Sequence, residues 1–234
     1  MNKKRAYLQV IPLMSRQAYF NQLADSWDKR FQTEALSTFI EQLVPTFGLL
    51  PGQKVLDVGT GTGILIPFLL KAVGPTGQVS AIDYAEKMVK ICKSKYAQLP
   101  NVTVTVQQVE KLDFPSHTFD AVTCFGLFPH IENKEEALRQ MNRVLKTNGK
   151  LIIAHALSSA EIKAHHHNAS SVVANDELPT AAVMEKLLTQ AGFGKVHIID
   201  KPGQYFNLSI KLNTAIGAKK NDSAQSRFCL CHLL

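Results

Sequence analysis

Residues 55–63 read VLDVGTGTG, a short apolar run that ends in three glycines at alternate positions. The run is typical of a buried strand, and an apolar helical segment over residues 64–73 follows the glycines. Glycine lets the backbone turn tightly and approach a ligand, while the start of a helix offers free N–H groups. The spacing is G-x-G-x-G, whereas dinucleotide-binding loops have G-x-G-x-x-G. The pattern therefore predicts a ligand-binding turn between a strand and a helix.

Asp83 ends the next predicted strand, residues 78–83, and follows Gly63 at a distance of twenty residues. A carboxylate in that place can accept both hydrogen bonds from a ribose diol. Because the carboxyl ends of parallel strands meet at one edge of a sheet, we expect the glycine turn and Asp83 to share a pocket. Together they predict a site for an adenosine-type cofactor.

Short β-rich runs alternate with helical periods along most of the chain. The predicted strands are residues 54–58, 78–83, 102–107, 119–124, 150–155, 195–199 and 205–212. The predicted helices are residues 64–73, 85–97, 134–145 and 179–191, with two more within residues 16–44. Asn148-Gly149 indicates a turn before the strand at residues 150–155, and the last two strands form a hairpin around Pro202 and Gly203. This alternation predicts an α/β fold, a Rossmann-like seven-stranded, mostly parallel sheet with helices on both faces and the last strand antiparallel.

The composition is that of a folded globular protein, with 45% hydrophobic and 19% charged residues among 234. The net charge of +7 is concentrated at the ends, because residues 3–5 supply +3 and residues 211–234 another +3. The +1 left on residues 6–210 disfavours an extended nucleic-acid surface. The few cysteines, the absence of an apolar run of about 18 residues and the absence of a cleavable leader predict a cytoplasmic protein without a membrane span.

The chain resembles a known family, the class I S-adenosylmethionine-dependent methyltransferases, and most closely the type 11 group that includes the ubiquinone and menaquinone C-methyltransferases. The likeness begins with VLDVGTGTG and continues with AID at residues 81–83. LDFP at residues 112–115 leads to FDAV at residues 119–122, and the likeness extends through residues 137–151. It also reaches back to residues 20–28, so the motifs keep their order over about residues 18–210.

The resemblance implies S-adenosylmethionine as the cofactor, held at one edge of the sheet. The residues expected at its methionine part are Asp57, Gly59, Thr60, Gly61 and Gly63. Asp83 is expected at its ribose. The residues expected at its adenine are Tyr84, Met88, Gln108, Val109 and Glu110. Gln108 stands where the family usually has an aspartate that meets the adenine amine, and an amide oxygen can also accept that bond. Cys124 and Phe125 would border the transferable methyl group.

The resemblance also implies a domain organisation. Residues 1–45 would form an N-terminal helical lid over the cofactor, or else a cap on the sheet. Residues 46–212 would form the methyltransferase domain, with an insertion at residues 156–178 in which Ser158-x-x-Glu161 fits a capping box. Residues 213–234 are predicted to be a disordered tail, in preference to half of a metal site at Cys229-x-Cys231-His232.

Two histidines are the candidate catalytic residues. His130 and His155 lie where the fourth and fifth predicted strands deliver their carboxyl ends, so either could act as general base toward an acceptor that carries a proton. The competing interpretation is a hydrogen-bonded or solvated histidine at the rim of the pocket. His166 could join them and Asp176 in a metal site. Neighbouring positions on a helix diverge by about 100°, so a solvated face or mobile lid is favoured for residues 165–167.

Three functions are compatible with the sequence. The first is methyl transfer to an O, S or C atom of a small-molecule acceptor, since no Asn-Pro-Pro-Tyr follows the fourth strand and no Pro-Cys nucleophile is present. A quinone-like ring is one candidate acceptor by analogy. The second is a non-catalytic protein that binds S-adenosylmethionine or a partner. The third is a nucleic-acid methyltransferase whose basic ends hold the substrate.

Overall fold

The computed structural model describes residues 14–213 and shows a single sheet in that range. Its strands are β1 (Lys54–Val58), β2 (Gln78–Asp83), β3 (Val102–Val106), β4 (Phe119–Phe125), β5 (Leu145–His155), β6 (Phe193–Lys201) and β7 (Gln204–Lys211). They lie in the order β3-β2-β1-β4-β5-β7-β6. The pairs among β1 to β5 are parallel, and β7 is antiparallel to both β5 and β6. The predicted fold class is confirmed, including its antiparallel last strand.

Helices cover both faces of this sheet. Within the described range they are α1 (Arg16–Phe31), α2 (Glu34–Leu43), α3 (Ile66–Val73), α4 (Glu86–Tyr96), α5 (Lys134–Val144), α6 (Ser159–Ala169) and α7 (Ala181–Gln190). Successive side chains of a strand point to opposite faces, so neighbouring apolar residues enter different cores. Val55 packs with α2, α3 and α4, whereas Leu56 packs with α5 and α7. The continuous apolar runs of the central strands follow from this double coverage.

β5 begins at Leu145, five residues before its predicted start at residue 150. The pair Asn148-Gly149 indicated a turn before the strand, and that interpretation is wrong. Asn148 does have a left-handed backbone, with φ of 62°, but it lies inside the strand. The pairing of β5 with β4 shifts register between Phe119 and Ala121. The turn signal therefore marks an irregularity in β5, since asparagine tolerates positive φ better than most residues.

The two N-terminal helices occupy different positions. α2 belongs to the main core, where Ile40 and Leu43 are buried. α1 packs on α4 and reaches the carboxyl ends of the strands, where Gln17 donates to the carbonyl oxygen of Tyr84 at 2.8 Å. Of the segment predicted as a lid, α1 is thus the part that covers the strand ends. Residues 1–13 lie outside the described residues.

The insertion between β5 and α7 contains α6. Its predicted capping box is confirmed, because Ser158 accepts from the backbone N–H of Glu161 while the Glu161 carboxylate accepts from the backbone N–H of Ser158. The predicted tail, including its Cys-x-Cys-His motif, lies outside the described residues from residue 214 onward. Within residues 14–213, each helix is too short or too polar to cross a bilayer.

The strand order places the glycine turn at the centre of the sheet. β1 pairs with β2 on one side and with β4 on the other. The connections that leave β1 and β4 therefore run toward opposite halves of the sheet. In open α/β sheets a ligand crevice forms at this point, outside the carboxyl ends of the strands.

Candidate functional site

Two cavities flank the glycine turn at the carboxyl ends of the strands. The larger has a volume of about 440 Å³ and lies beside the ends of β2 and β3, where it is lined by Asp83, Tyr84, Gln107, Gln108, Val109, Glu110, Leu127, His130 and the first turn of α1. The smaller has a volume of about 240 Å³ and lies beside the ends of β4 and β5, where it is lined by Asp57, Thr60, Gly61, Trp27, Phe31, Phe125, His155, Ile162, His165 and His166. Gly59 lines both cavities.

The glycine turn is tied to the end of β2 by backbone hydrogen bonds. The N–H groups of Gly59 and Thr60 donate to the carbonyl oxygen of Ile82 at 2.8 and 2.9 Å. Gly59 has φ of +70°, and a Cβ on it would lie 2.6 Å from the side chain of Leu127. Only glycine fits this close approach in a left-handed conformation.

Asp83 holds the turn and α4 together. One carboxylate oxygen accepts from the N–H of Gly61 at 2.9 Å, and the other accepts from the N–H of Ala85 at 2.8 Å. Burial raises the pKa of Asp83 to about 6, against the opposing effect of these N–H groups. Each oxygen uses one of its acceptor positions in this way, so the carboxylate retains capacity for further donors.

Asp57 contributes a second buried carboxylate, beneath the smaller cavity. Its Oδ1 accepts from the hydroxyl of Thr123 at 2.8 Å, while its Oδ2 is buried and has no hydrogen-bond partner among residues 14–213. Burial raises the pKa of Asp57 to about 6, although the bond from Thr123 lowers it. A buried carboxylate oxygen without a donor is costly, so the site is complementary to a cationic or N–H-bearing ligand group.

The loop after β3 lines the larger cavity, as the resemblance implied for Gln108, Val109 and Glu110. Gln107 lines it as well, a residue that the sequence analysis did not name. Tyr84 closes the adjoining wall, and its hydroxyl is buried without a partner in the described part of the chain. These groups provide amide, carboxylate and phenol donors and acceptors around a partly apolar space.

The structure places three of the expected cofactor residues away from both cavities. A Cβ on Gly63 would lie 2.5 Å from the ring of Tyr96, so this glycine lets α4 approach the turn. Met88 is buried against Ala24 of α1, and Cys124 is buried in the core beneath the sheet. In this structure all three positions are in contact with packed side chains, and their expected role at the cofactor stays a prediction.

α1 closes over the crevice through polar and aromatic contacts. The carboxylate of Asp28 accepts from the hydroxyl of Thr62 at 2.5 Å and pairs with the ammonium group of Lys95. Trp27 and Phe31 line the smaller cavity with their rings 4.4 Å apart. Trp27 is the only tryptophan of the chain, so its fluorescence reports on this cavity.

His130 belongs to a hydrogen-bonded network centred on Asp176. Its Nδ1 lies 2.8 Å from Oδ2 of Asp176, whose side chain is 3% exposed. Arg16 donates to the same carboxylate from Nε at 3.0 Å and from Nη2 at 2.5 Å. Burial by itself would raise the pKa of Asp176, but the bonds from His130 and Arg16 lower it to about 2. Asp176 is therefore ionised at neutral pH.

His155 has a different environment at the end of β5. Its Nε2 is buried and has no hydrogen-bond partner within residues 14–213. Burial, with smaller contributions from His130 and His166, lowers the pKa of His155 to about 3. Its imidazole is therefore neutral at physiological pH and offers a hydrogen-bonding group to the smaller cavity.

The histidine run of α6 contributes to the same region. Nδ1 of His166 lies 2.6 Å from the carbonyl oxygen of Asp176, and its ring lies 4.6 Å from that of His130. Although these rings approach each other, the described residues contain no group of three or more His, Cys, Asp or Glu side chains arranged to hold a metal. The Asp176 carboxylate is instead used by Arg16 and His130. His165 lines the smaller cavity, and His167 lies on the exposed side of α6.

No local sequence signal marks Arg16 as part of the site. It is an ordinary basic residue in the first turn of α1, and its partner Asp176 lies 160 residues away. Gln107 could have been found from its position directly before the predicted adenine loop. Arg16 can be recognised as a residue of the site only in the folded structure, where α1 and the insertion lie next to each other.

Comparisons with known proteins agree with this geometry. Residues 55–149 match the family model described as methyltransferase domain. Over 113 residues the chain is 40% identical to a demethylmenaquinone methyltransferase of Staphylococcus aureus, an alignment that covers 48% of this chain and 46% of the relative. The chain thus spans about half the length of the relatives that it matches in this way.

Solved structures extend the likeness to the whole sheet. A SAM dependent methyltransferase from Aquifex aeolicus has a TM-score of 0.63 at 25% identity, over 84% of this chain and 98% of that one. The YcgJ protein of Bacillus subtilis shares the fold, with a TM-score of 0.61 at 15% identity, over 74% of this chain and 98% of that one. Residues 55–149 thus match a methyltransferase domain, and the strand order and the glycine turn after β1 belong to a sheet with the fold of solved methyltransferase structures.

Proposed function

We propose that this chain transfers the methyl group of S-adenosylmethionine to an O, S or C atom of a small-molecule acceptor. The observation that carries the proposal is the meeting of two cavities at Gly59, one of them rich in adenosine-binding groups and the other lined by aromatic rings and histidines. A cofactor that extends from the first into the second would present its methyl group to an acceptor in the second.

The residues present fit the cofactor. The unpartnered Oδ2 of Asp57 would accept from its ammonium group, and Asp83 would accept from the ribose hydroxyls. Tyr84 and the loop of Gln108, Val109 and Glu110 would surround the adenine. When bound, S-adenosylmethionine supplies an electrophilic methyl group on a sulfonium. The protein then contributes mainly the placement of the acceptor and the removal of any proton that it carries.

The smaller cavity indicates the kind of acceptor. Trp27, Phe31 and Phe125 give it aromatic walls, and Leu157 and Ile162 add apolar surface. These walls fit a flat apolar molecule, while the neighbouring imidazoles fit a polar group on that molecule. Because the Staphylococcus aureus relative is a demethylmenaquinone methyltransferase, demethylmenaquinone is the first acceptor to test.

The two candidate catalytic histidines receive different roles in this proposal. His155 is neutral and buried, and a nitrogen with a strongly lowered pKa is a weak base. We therefore assign it to hydrogen bonding with the acceptor. His130 has a carboxylate partner, and its ring lies 4.6 Å from that of His166, which lines the smaller cavity, so we assign it as the general base for an acceptor with an acidic proton.

The first prediction concerns turnover. The purified chain, given S-adenosylmethionine and chemically reduced demethylmenaquinone, is expected to form S-adenosylhomocysteine and a product heavier by one methylene. A metabolite extract serves as the second acceptor source, and protein-free reactions are the control. Mass spectrometry detects both products. Binding of S-adenosylmethionine without product from either source would favour the non-catalytic alternative, and product formed only with added RNA would favour the nucleic-acid alternative.

The second prediction concerns the pH dependence of cofactor binding. The pKa values of Asp57 and Asp83 are raised to about 6, so both carboxyls lose their charge as the pH falls from 7 to 5. Because the ionised forms accept the cofactor's hydrogen bonds, we expect the Kd for S-adenosylmethionine to rise at least about tenfold over this range. Trp27 fluorescence or calorimetry measures it. Binding at pH 6 should also release protons, as the cofactor lowers both pKa values.

A matched variant tests the origin of this effect. Asp57→Asn removes one of the two titrating groups and should flatten the pH dependence while weakening binding at pH 7. Asp113→Asn changes an exposed aspartate outside both cavities and should leave the profile unchanged. A Kd that stays constant between pH 5 and pH 7 in the unmodified chain would contradict the assignment of the two carboxylates.

A further inference from the structure

The Asp176 network joins three segments that are far apart in the chain. Asp176 lies in the insertion between β5 and α7, Arg16 lies in the first turn of α1, and His130 follows β4. Asp176 is outside residues 55–149, the part of the chain that matches the methyltransferase family model. The network therefore joins His130, which lies within the matched residues, to Arg16 and Asp176, which lie outside them.

The chemistry of the pair fixes the proton on His130. An ionised carboxylate can only accept hydrogen bonds, so Nδ1 of a neutral His130 must carry the proton that points to Oδ2 of Asp176. The other ring nitrogen, Nε2, is then left with its lone pair. A neutral imidazole in this tautomer can take a proton at Nε2, whereas the opposite tautomer cannot.

Arg16 keeps this carboxylate in place and charged. Its guanidinium donates to both oxygens of Asp176, and a further bond links it to Glu132 at 2.8 Å. Because a planar guanidinium pairs with both oxygens, it fixes the orientation of the carboxylate as well as its charge. The carboxylate in turn fixes the ring plane of His130.

A purely structural ion pair accounts less well for this arrangement. Burying a carboxylate and a guanidinium costs desolvation that their attraction only partly offsets, and apolar residues of similar size often stabilise a protein equally well. The histidine end of the network lines the larger cavity, beside the turn that carries Gly59. The ring of His130 also lies 4.6 Å from that of His166, which lines the smaller cavity where the acceptor is proposed to bind. The charged groups thus meet next to that cavity and not at a remote surface.

We propose that Asp176, held by Arg16, is the positioning residue that sets His130 in its Nδ1–H tautomer and so prepares Nε2 as the general base. The inference rests on the proposed methyl transfer for its catalytic meaning. Its structural content, the tautomer of His130 and its dependence on Asp176, can be measured without any acceptor.

The experiment is nitrogen-15 NMR of the full chain with labelled histidine, at pH 8 and without ligand. The unmodified chain should show His130 with the Nδ1–H tautomer. In Asp176→Asn, the amide oxygen is the only acceptor that the side chain at position 176 offers to Arg16, so we expect the amide NH₂ to turn toward His130. We therefore expect the tautomer to change to Nε2–H, since the amide now donates to Nδ1. His130→Gln assigns the signals.

Glu177→Gln is the matched control, because Glu177 is the neighbouring carboxylate, is exposed, and pairs only with Lys163 among the described residues. It should leave the His130 signals unchanged. Arg16→Gln should give a mixture of tautomers, since the carboxylate loses its fixed orientation. If Asp176→Asn does not fold, Arg16→Gln still decides the question. Retention of a pure Nδ1–H tautomer in the folded variant would overturn the proposal.

Kinetics separate this inference from the proposed function. With reduced demethylmenaquinone as the acceptor, Asp176→Asn should lower kcat at least about tenfold and leave the KM for S-adenosylmethionine within about twofold. An unchanged kcat would overturn the positioning role. If the unmodified chain shows the expected tautomer and its loss in the variant, yet transfers no methyl group to any acceptor, the proposed function fails while the dependence of His130 on Asp176 stands.

Discussion

Asp83→Ala is expected to weaken S-adenosylmethionine binding by about 2–3 kcal/mol, which corresponds to a rise in Kd of about 30–150-fold. The substitution removes the acceptor for the two ribose hydroxyls. It also leaves the N–H of Gly61 without the carboxylate oxygen that now lies 2.9 Å away, so the glycine turn loses one of its hydrogen bonds to the end of β2. Both losses act on the same binding site.

The measurement is a titration followed by Trp27 fluorescence and repeated by calorimetry. Asp113→Ala is the control, because Asp113 is an exposed aspartate that lines neither cavity. A thermal melt of each variant shows whether the fold survives. Asp83→Asn should recover little of the affinity, since an amide has one acceptor oxygen where the carboxylate has two. Unmodified affinity in a folded Asp83→Ala protein would remove Asp83 from the cofactor site.

Gly63→Ala is expected to lower the free energy of unfolding by about 3 kcal/mol. Gly63 has φ of +92°, a conformation that costs a residue with a Cβ about 1–2 kcal/mol. The added methyl group would lie 2.5 Å from the ring of Tyr96 and 2.9 Å from Sγ of Cys92. Relieving this overlap requires α4 to move, and overpacking of this kind typically costs about 1–3 kcal/mol.

Gly203→Ala separates the two contributions. Gly203 also has a positive φ, +76°, but a Cβ built there meets nothing within 4 Å. It should therefore show only the conformational cost of about 1–2 kcal/mol. Chemical denaturation of both variants gives the comparison. Equal losses at the two positions would show that the contact with Tyr96 contributes nothing, and the role of Gly63 in packing α4 would be wrong.

Gly59 and Gly63 belong to the same glycine motif but have different surroundings in the structure. The three glycines look alike in the sequence, and the resemblance assigned all of them to the methionine part of the cofactor. In the structure Gly59 lines both cavities, whereas Gly63 contacts α4. Because Gly63 has no Cβ, Tyr96 and Cys92 of α4 can approach the glycine turn closely.

The two candidate histidines show the same limit of sequence reasoning. His130 and His155 each lie near the carboxyl end of a predicted strand, so the sequence pattern predicted the same role for both. Their environments differ because other elements pack against them. His130 meets a carboxylate, whereas Nε2 of His155 is buried without a partner in the described range. What each imidazole can do follows from those neighbours.

Two of the turn and cap signals in the sequence predicted the local structure correctly. The capping box at Ser158 and the hairpin at Gly203 lie where they were predicted. The turn predicted at Asn148-Gly149 is absent from β5, because a strand with a register shift can also accommodate the positive φ that such a pair prefers. The conformational preference of asparagine indicated the positive φ at Asn148, but it did not indicate that this residue lies within β5.

The sequence by itself determined the sheet, its antiparallel last strand, the glycine turn and the two carboxylates near the ends of β1 and β2. These features depend on residues close together in the chain, whose hydrophobic period and backbone preferences act locally. Only the tertiary structure decided which glycine packs a helix, which histidine has a carboxylate partner, and that Arg16 holds Asp176. Those contacts join residues 46 and 160 positions apart, and such contacts form only when the topology of the sheet brings α1 and the insertion to the same edge.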